Sequence, residues 1–155
     1  MVRHSTDMGL EERDAKLLEV LEQSGWFVTK VGATDYEPAF AYSMGLYQHF
    51  GHPEIILFGL DLAVMHRLIN DVGERIRQGR RYEEGNRYDD LLAGYQCEFR
   101  RVDPRHYDEL LSWAVWYYTG SQFPVLQLTW PDPTGVFPWE EGFDERFRRK
   151  QPRLD

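Results

Sequence analysis

Two apolar runs separated by a polar loop occupy residues 38–60, PAFAYSMGLYQHFGHPEIILFGL. The second run, EIILFG at residues 54–59, is short and almost wholly apolar. Such a run predicts a central strand that is buried on both faces of a sheet. Between the runs lie polar side chains, and loops that carry such groups between buried strands often hold functional residues. These side chains are Tyr42, Ser43, His49, His52 and Glu54.

The other patterns predict three helices and further short strands along the chain. Leucines recur at helical spacing before Gly25, a second helix follows the capping residue Asp61, and Asp103-Pro104 is typical of a third helix start. Residues 79–93 are polar and predict a loop, and the alternation in residues 95–102 predicts an edge or half-exposed strand. The predicted helices are 8–23, 61–79 and 103–120, and the predicted strands are 26–31, 39–46, 54–59, 95–102 and 124–130.

This order of elements predicts an α+β fold. We expect one domain over residues 1–155, with a mixed, mostly antiparallel sheet of about five strands and three helices. Residues 1–13 and the basic residues 145–155 are candidates for flexible extensions.

Charge and cysteine content exclude several classes of protein. The formal net charge of -8 argues against a surface for duplex nucleic acid, which is normally basic. No apolar run approaches the roughly 20 residues that span a bilayer, and the first residues lack the apolar core of a secretory signal. A single cysteine, Cys97, fits a reducing compartment. We therefore expect a cytoplasmic protein that contacts neither membranes nor duplex nucleic acid.

The first candidate site is the loop that carries His49, His52 and Glu54. Two imidazoles and a carboxylate are ligand types that suit zinc or iron, but Gly51 and Pro53 interrupt the helix that would align the histidines. We therefore predict no metal site. The two alternatives are histidines that satisfy local hydrogen bonds and acid–base chemistry at His52.

The second candidate site is the aromatic and acidic region near the end of the chain. Trp130 and Trp139 could stack on a planar ligand, and Asp132 lies in a predicted type I turn. Paired carboxylates can perform acid–base chemistry when their environments separate their pKa values. The alternative is an aromatic clasp that fastens this segment to the sheet. The other polar residues of the region are Gln127, Glu140, Glu141 and Asp144.

No motif identifies a nucleophile or a phosphate-binding loop. Ser43 lacks the glycines of a nucleophile elbow, and Cys97 lies on the apolar side of its predicted strand, where a thiol acts as a small hydrophobe. The sequence therefore assigns no catalytic residue and no cofactor.

Three segments resemble a known family. Gly25-Trp26, residues 38–60 and the segment PVLQLTWPDPTGVFPWEEGFD look like the bacterial domain-of-unknown-function family 4262, over residues 14–144. The resemblance implies a bacterial cytosolic domain. It implies no activity, ligand or catalytic residue, because none is established for the family.

Three functions remain as hypotheses. The first is a module that binds a small molecule or peptide in a pocket that includes Tyr42, His52, Trp130 and Trp139. The second is an enzyme that uses His52 with Glu54 or Asp132 as general acid and base, with a metal or a flavin-like cofactor. The third is a protein that docks or neutralises a partner protein through Trp113, Trp116 and Tyr117. The first two require the histidine loop and the late tryptophans to meet at one cavity.

Overall fold

Six strands form one mixed sheet in this computed structural model, which describes residues 8–155 and, for side chains, residues 14–155. Residues 1–7 of the predicted N-terminal extension lie outside the described residues, whereas residues 8–13 belong to the first helix. The strands are β1 (Phe27–Val31), β2 (Phe40–Met44), β3 (Glu54–Phe58), β4 (Arg87–Leu92), β5 (Tyr95–Arg101) and β6 (Val125–Thr129).

Helices precede, connect and follow these strands. They are α1 (Met8–Ser24), α2 (Leu46–Phe50), α3 (Leu62–Arg77), α4 (Tyr107–Leu110) and α5 (Ser112–Tyr118), with short 3₁₀ helices at Pro104–His106 and Glu145–Lys150. Asp61 caps α3 as expected, because its Oδ1 accepts a hydrogen bond from the backbone N–H of Ala63. Among the described residues, no helix is both long enough and apolar enough to cross a bilayer.

The strand order is β1-β2-β3-β6-β5-β4, and β3 with β6 is the parallel pair in an otherwise antiparallel sheet. The predicted β1–β2 pairing is confirmed, with Phe27 opposite Met44. All residues of β3 and β6 are buried, because helices or the C-terminal segment cover both faces of the sheet at its centre. The mixed, mostly antiparallel α/β sheet is therefore confirmed.

Each face of the sheet has its own apolar core. On one face, α3 packs against β1, β2 and β3, and the core includes Trp26, Leu57 and Leu128. On the other face, α1, α4 and α5 cover a core that includes Phe40 and Ile56. Odd-numbered positions of β6 belong to this second face and even-numbered positions to the first, as the alternation of a strand requires.

The prediction of five strands is wrong, because β4 lies inside the predicted loop of residues 79–93. Its polar sequence, RYDDLL, lacks the β-branched residues that favour strands, and it pairs only with β5 at the edge of the sheet. Of the two alternatives predicted for β5, the edge position is wrong, since β4 and β6 flank it, whereas the strand is half-exposed as predicted.

The prediction of three helices is also wrong. The short α2 lies in the predicted histidine loop, and five residues are too few to show helical periodicity. The predicted helix of residues 103–120 is divided into a 3₁₀ turn, α4 and α5. The break between α4 and α5 is at Leu111, whose backbone leaves the helical region with φ -119° and ψ 39°.

The basic C-terminal residues, which the sequence marks as a candidate flexible extension, fold onto the sheet. Gln151 and Leu154 are buried, and Asp103 N–H donates to the Leu154 carbonyl at 2.8 Å. The segment also runs close over Gly59. A Cβ added at this glycine, which has φ +84°, would lie 2.3 Å from the Lys150 carbonyl oxygen. The close approach therefore requires glycine at this position.

Candidate functional site

Glu54, the first residue of β3, holds the start of α2 in place. Its side chain is fully buried, and its two carboxyl oxygens accept hydrogen bonds from three successive backbone N–H groups. These donors belong to Gly45 at 2.9 Å, Leu46 at 3.2 Å and Tyr47 at 3.2 Å. The first N–H groups of a helix have no partner within the helix, so Glu54 supplies the acceptors that α2 lacks.

Two hydroxyl groups complete the surroundings of Glu54. Ser43 Oγ donates to Glu54 Oε1 at 2.8 Å, and the Tyr118 hydroxyl donates to Oε2. Burial raises the pKa of the Glu54 carboxyl, and the hydrogen bonds from Tyr118, Ser43 and the backbone offset part of that effect. Burial and the nearby Glu54 charge raise the pKa of Tyr118. In the described part of the chain no cation pairs with Glu54, so neutral dipoles alone stabilise its charged form.

His52 uses both of its ring nitrogens for the local backbone. Nε2 accepts the Tyr82 N–H at 3.0 Å, which leaves the proton on Nδ1, and Nδ1 donates to the Pro53 carbonyl at 2.8 Å. Burial lowers the pKa of His52, because the charged imidazolium would lose its hydration. This is the arrangement of a histidine that satisfies local hydrogen bonds.

The remaining residues of the first candidate site make separate contacts. His49 is exposed, with Nδ1 3.1 Å from the Gly45 carbonyl, and Tyr42 is buried, with its hydroxyl accepting the Trp113 N–H at 3.2 Å. Within residues 14–155, no group of three His, Cys, Asp or Glu side chains is arranged to hold a metal ion. Cys97 is buried, and burial raises the pKa of its thiol to about 12.

Trp130 and Asp132 of the second candidate site stabilise the chain after β6. The Trp130 indole donates to the Phe58 carbonyl at 2.8 Å. The Asp132 side chain accepts backbone N–H groups of Thr134, Val136 and Asp144, and the predicted turn is present, with Gly135 N–H donating to the Asp132 carbonyl. Burial raises the pKa of Asp132, but these hydrogen bonds outweigh it and lower the pKa to about 2.

The two candidate sites lie at opposite ends of the parallel strand pair. Glu54 is opposite Val125 at the start of β6, whereas Trp130 follows the end of β6. Five strand residues span about 16 Å. The sequence hypothesis of one cavity shared by the histidine loop and the late tryptophans is therefore not met. The binding roles proposed for the seven individual residues stay predictions.

A cavity of about 620 Å³ lies where the C-terminal segment covers β5 and β6. Trp139 lines it, but the other six predicted site residues do not. Its volume is within the range of pockets that bind small molecules. The other lining residues include Arg100, Gln127, Thr129, Glu140, Glu141, Arg148, Gln151, Arg153 and Asp155.

The floor of this cavity is polar although it belongs to a buried strand. Gln127 and Thr129 are each 3 % exposed and point to the face of the sheet that is apolar over β2 and β3. Gln127 Nε2 donates to the Pro152 carbonyl at 3.0 Å, and no described residue donates to its Oε1. Buried polar side chains are more informative than exposed apolar ones, because their burial costs free energy unless a partner satisfies them.

A stack of arginines and aromatic rings begins at the cavity, where Arg100 and Trp139 form part of the lining. Arg100 lies 4.2 Å from the Trp139 ring centroid, Trp139 stacks on Phe137 at 5.1 Å, and Arg87 lies 4.3 Å from the Phe137 centroid. The Glu98 carboxylate joins the two ends, since it accepts hydrogen bonds from Arg87 at 3.0 Å and Arg100 at 3.1 Å. Trp139 is nevertheless 38 % exposed, so part of its ring can contact a ligand.

The sequence contained a signal for this floor. The segment Leu126-Gln127-Leu128-Thr129 alternates apolar and polar residues. The residues around it are apolar and predict a buried strand, so polar side chains within it are unusual. The walls had no such signal, because Arg100, Gln151 and Arg153 come together only through the tertiary fold.

A second cavity, of about 610 Å³, lies between the end of α1, β1 and α3. Several of its polar groups bind one another. The Trp26 indole donates to Asn70 Oδ1 at 2.9 Å, Asn70 Nδ2 lies 3.3 Å from His66 Nε2, and Arg77 donates to the Ser24 carbonyl. The cavity over β5 and β6 is the better candidate, because the polar side chains beneath it, Gln127 and Thr129, project from a buried strand of the sheet.

Comparisons with known proteins give a family and no function. No curated protein and no solved structure matches the chain. The sequence model of the family described as "Domain of unknown function (DUF4262)" matches residues 20–144, which include β1–β6, the Glu54 hydrogen bonds and Trp139. The chain therefore belongs to the family DUF4262.

Proposed function

We propose that this protein is a binding module for a small molecule, and that the ligand occupies the cavity over β5 and β6. The observation that carries the proposal is the polar floor of Gln127 and Thr129 beneath a cavity of about 620 Å³. An apolar pair at these two positions would pack against the covering segment and leave no polar surface. Thr129 Oγ1 donates to the Glu98 carbonyl at 2.6 Å and Gln127 Nε2 to the Pro152 carbonyl, so the groups that remain to orient a ligand are acceptors, above all Gln127 Oε1.

The proposal differs from the sequence hypothesis in the residues that form the site. Trp139 remains, whereas His52 and Trp130 satisfy their hydrogen bonds within the fold. The enzyme hypothesis has no support from His52, since both of its ring nitrogens are occupied. Docking of a partner protein through the α5 aromatics, a bacterial origin and a cytoplasmic location stay predictions.

A thermal-shift screen with a matched pair of variants tests the proposal. A compound at a hundred times its Kd adds about 2.7 kcal/mol to the free energy of unfolding. For a chain of this size that corresponds to a rise in Tm of about 5–10 °C. We expect Trp139→Ala to abolish the rise for a compound that binds in the cavity.

Tyr95→Ala is the matched control, because Tyr95 is an aromatic residue of almost the same exposure, 39 %, and does not line the cavity. We expect it to keep the ligand-induced rise in Tm. A compound that stabilises wild type and Trp139→Ala equally binds elsewhere, and that result would refute the assignment of the cavity. Failure of a chemically broad set of compounds to stabilise the wild type would refute the binding function.

A further inference from the structure

Two arginines from different parts of the chain hold one carboxylate in the proposed cavity. Arg100 of β5 donates from Nη2 to Asp155 Oδ2 at 3.0 Å, and Arg153 donates from Nε to Asp155 Oδ1 at 2.7 Å. All three residues line the cavity. Guanidinium groups that approach both oxygens of a carboxylate are the arrangement by which proteins recognise carboxylate ligands.

Arg100 also has contacts other than Asp155. Its Nη1 donates to Glu98 Oε2 at 3.1 Å, and its guanidinium lies 4.2 Å from the Trp139 ring centroid. Glu98 is itself held by Arg87, through a hydrogen bond of 3.0 Å to Oε1. A donor that is already positioned loses little conformational entropy when a ligand arrives.

The ion pairs of Asp155 are partly exposed to solvent. Its side chain is 30 % exposed and that of Arg153 is 79 % exposed, so water screens their attraction. Exposed ion pairs of this kind contribute little net free energy. The two arginines lower the pKa of Asp155 to about 2, so the group in this position is an anion near neutral pH.

We propose that the ligand of the cavity is a small molecule with a carboxylate group, and that Asp155 occupies the position of that carboxylate when the ligand is absent. The inference rests on the proposed function and adds the chemical class of the ligand. Gln127 Oε1 on the floor, to which no residue in the described part of the chain donates, would accept a hydrogen bond from a donor elsewhere in the ligand. Part of the Trp139 ring is available for apolar contact.

Benzoate and benzamide are suitable probes, because they have the same shape and only benzoate carries the charge. Binding is measured by NMR titration at constant ionic strength, for wild type and for Asp155→Asn. We expect Asp155→Asn to bind benzoate about two- to fivefold more tightly than wild type, since the competing carboxylate is gone. We expect benzamide to bind more weakly than benzoate in both.

Two further variants separate this effect from a general change in charge. Asp144→Asn removes the same charge from the same segment, and Asp144 pairs with Arg146 outside the cavity. We expect it to bind benzoate as wild type does. Adding Arg153→Gln to Asp155→Asn should cancel the gain in benzoate affinity. Because the Arg153 side chain is highly exposed, its replacement should not unfold the protein.

The inference is overturned if Asp155→Asn binds benzoate no better than wild type, or if Asp144→Asn gains as much. It is also overturned if benzamide binds as well as benzoate. A neutral ligand whose binding depends on Trp139 would leave the proposed function in place and refute only the carboxylate. If neither class of ligand binds, both proposals fail.

Discussion

Replacement of Glu54 by Gln tests whether a buried carboxylate organises the end of the sheet. The variant keeps the size and shape of the side chain and replaces one acceptor oxygen by an NH₂ group. We expect Glu54→Gln to lower the free energy of unfolding by about 2–4 kcal/mol. The reason is that five donors surround the carboxyl group, and an amide places a further donor among them.

The magnitude follows from the less costly orientation of the new amide. If its nitrogen takes the place of Oε2, it faces the N–H groups of Gly45 and Tyr47. If it takes the place of Oε1, it faces Ser43, whose hydroxyl can rotate, and the N–H of Leu46, which cannot. The second orientation leaves one buried N–H unsatisfied, at a cost of about 1–3 kcal/mol. Hydrogen bonds to a neutral amide are also weaker than those to a carboxylate.

Urea denaturation followed by circular dichroism at pH 7 measures the effect, with Glu141→Gln as the control. Glu141 is exposed and forms no ion pair with any described residue, so the same chemical change there should alter stability by no more than about 0.5 kcal/mol. If Glu54→Gln is as stable as Glu141→Gln, the Glu54 side chain is a neutral carboxylic acid in the native protein. The argument that α2 depends on a carboxylate would then be wrong.

Three other changes test separate parts of the fold. Burial lowers the pKa of His52 below 6.5, so the unfolded chain takes up a proton at this histidine at higher pH than the native protein does. The free energy of unfolding of the wild type should therefore fall as pH drops from 7 to 5, and that of His52→Gln should fall less steeply. Urea denaturation at each pH measures both. Gly73→Ala should lower the free energy of unfolding by about 1–3 kcal/mol despite the better helix propensity of alanine, because the added Cβ would lie 2.5 Å from the Trp26 ring. A Tm equal to or above that of the wild type would contradict this prediction. Asp132 has a native pKa of about 2, so it contributes stability above pH 3.8 that is lost as pH falls towards 2. Asp132→Asn should therefore flatten this part of an acid-unfolding curve. An unchanged curve would show that the hydrogen bonds of Asp132 are not the source of this loss of stability.

Local pattern was sufficient where one element carries its own signal. The apolar run of β3, the helical spacing in α1 and the cap of α3 each depend on neighbours in sequence, and all three were predicted. β4 was missed because its strand conformation comes from pairing with β5 rather than from its own residues. The short α2 was missed because its first N–H groups find their acceptor in Glu54, a residue that follows the helix.

The candidate site shows the same division. Gln127 and Trp139 were both noted in the sequence, but nothing there indicated that they share a cavity with Arg100, Arg153 and Asp155. Those residues meet because the C-terminal segment folds back over β5 and β6, held by hydrogen bonds such as those between Gln151 and the Trp130 backbone. Tyr42, His52 and Trp130 resembled ligand-binding residues in the sequence, yet their partners are other parts of the chain.

The sequence by itself determined the class of fold and the buried central strands, because apolar periodicity is a property of consecutive residues. Only the tertiary structure decided the strand order, the edge position of β4 and the location of the cavity. These depend on contacts between residues far apart in the chain, and such contacts leave no local pattern.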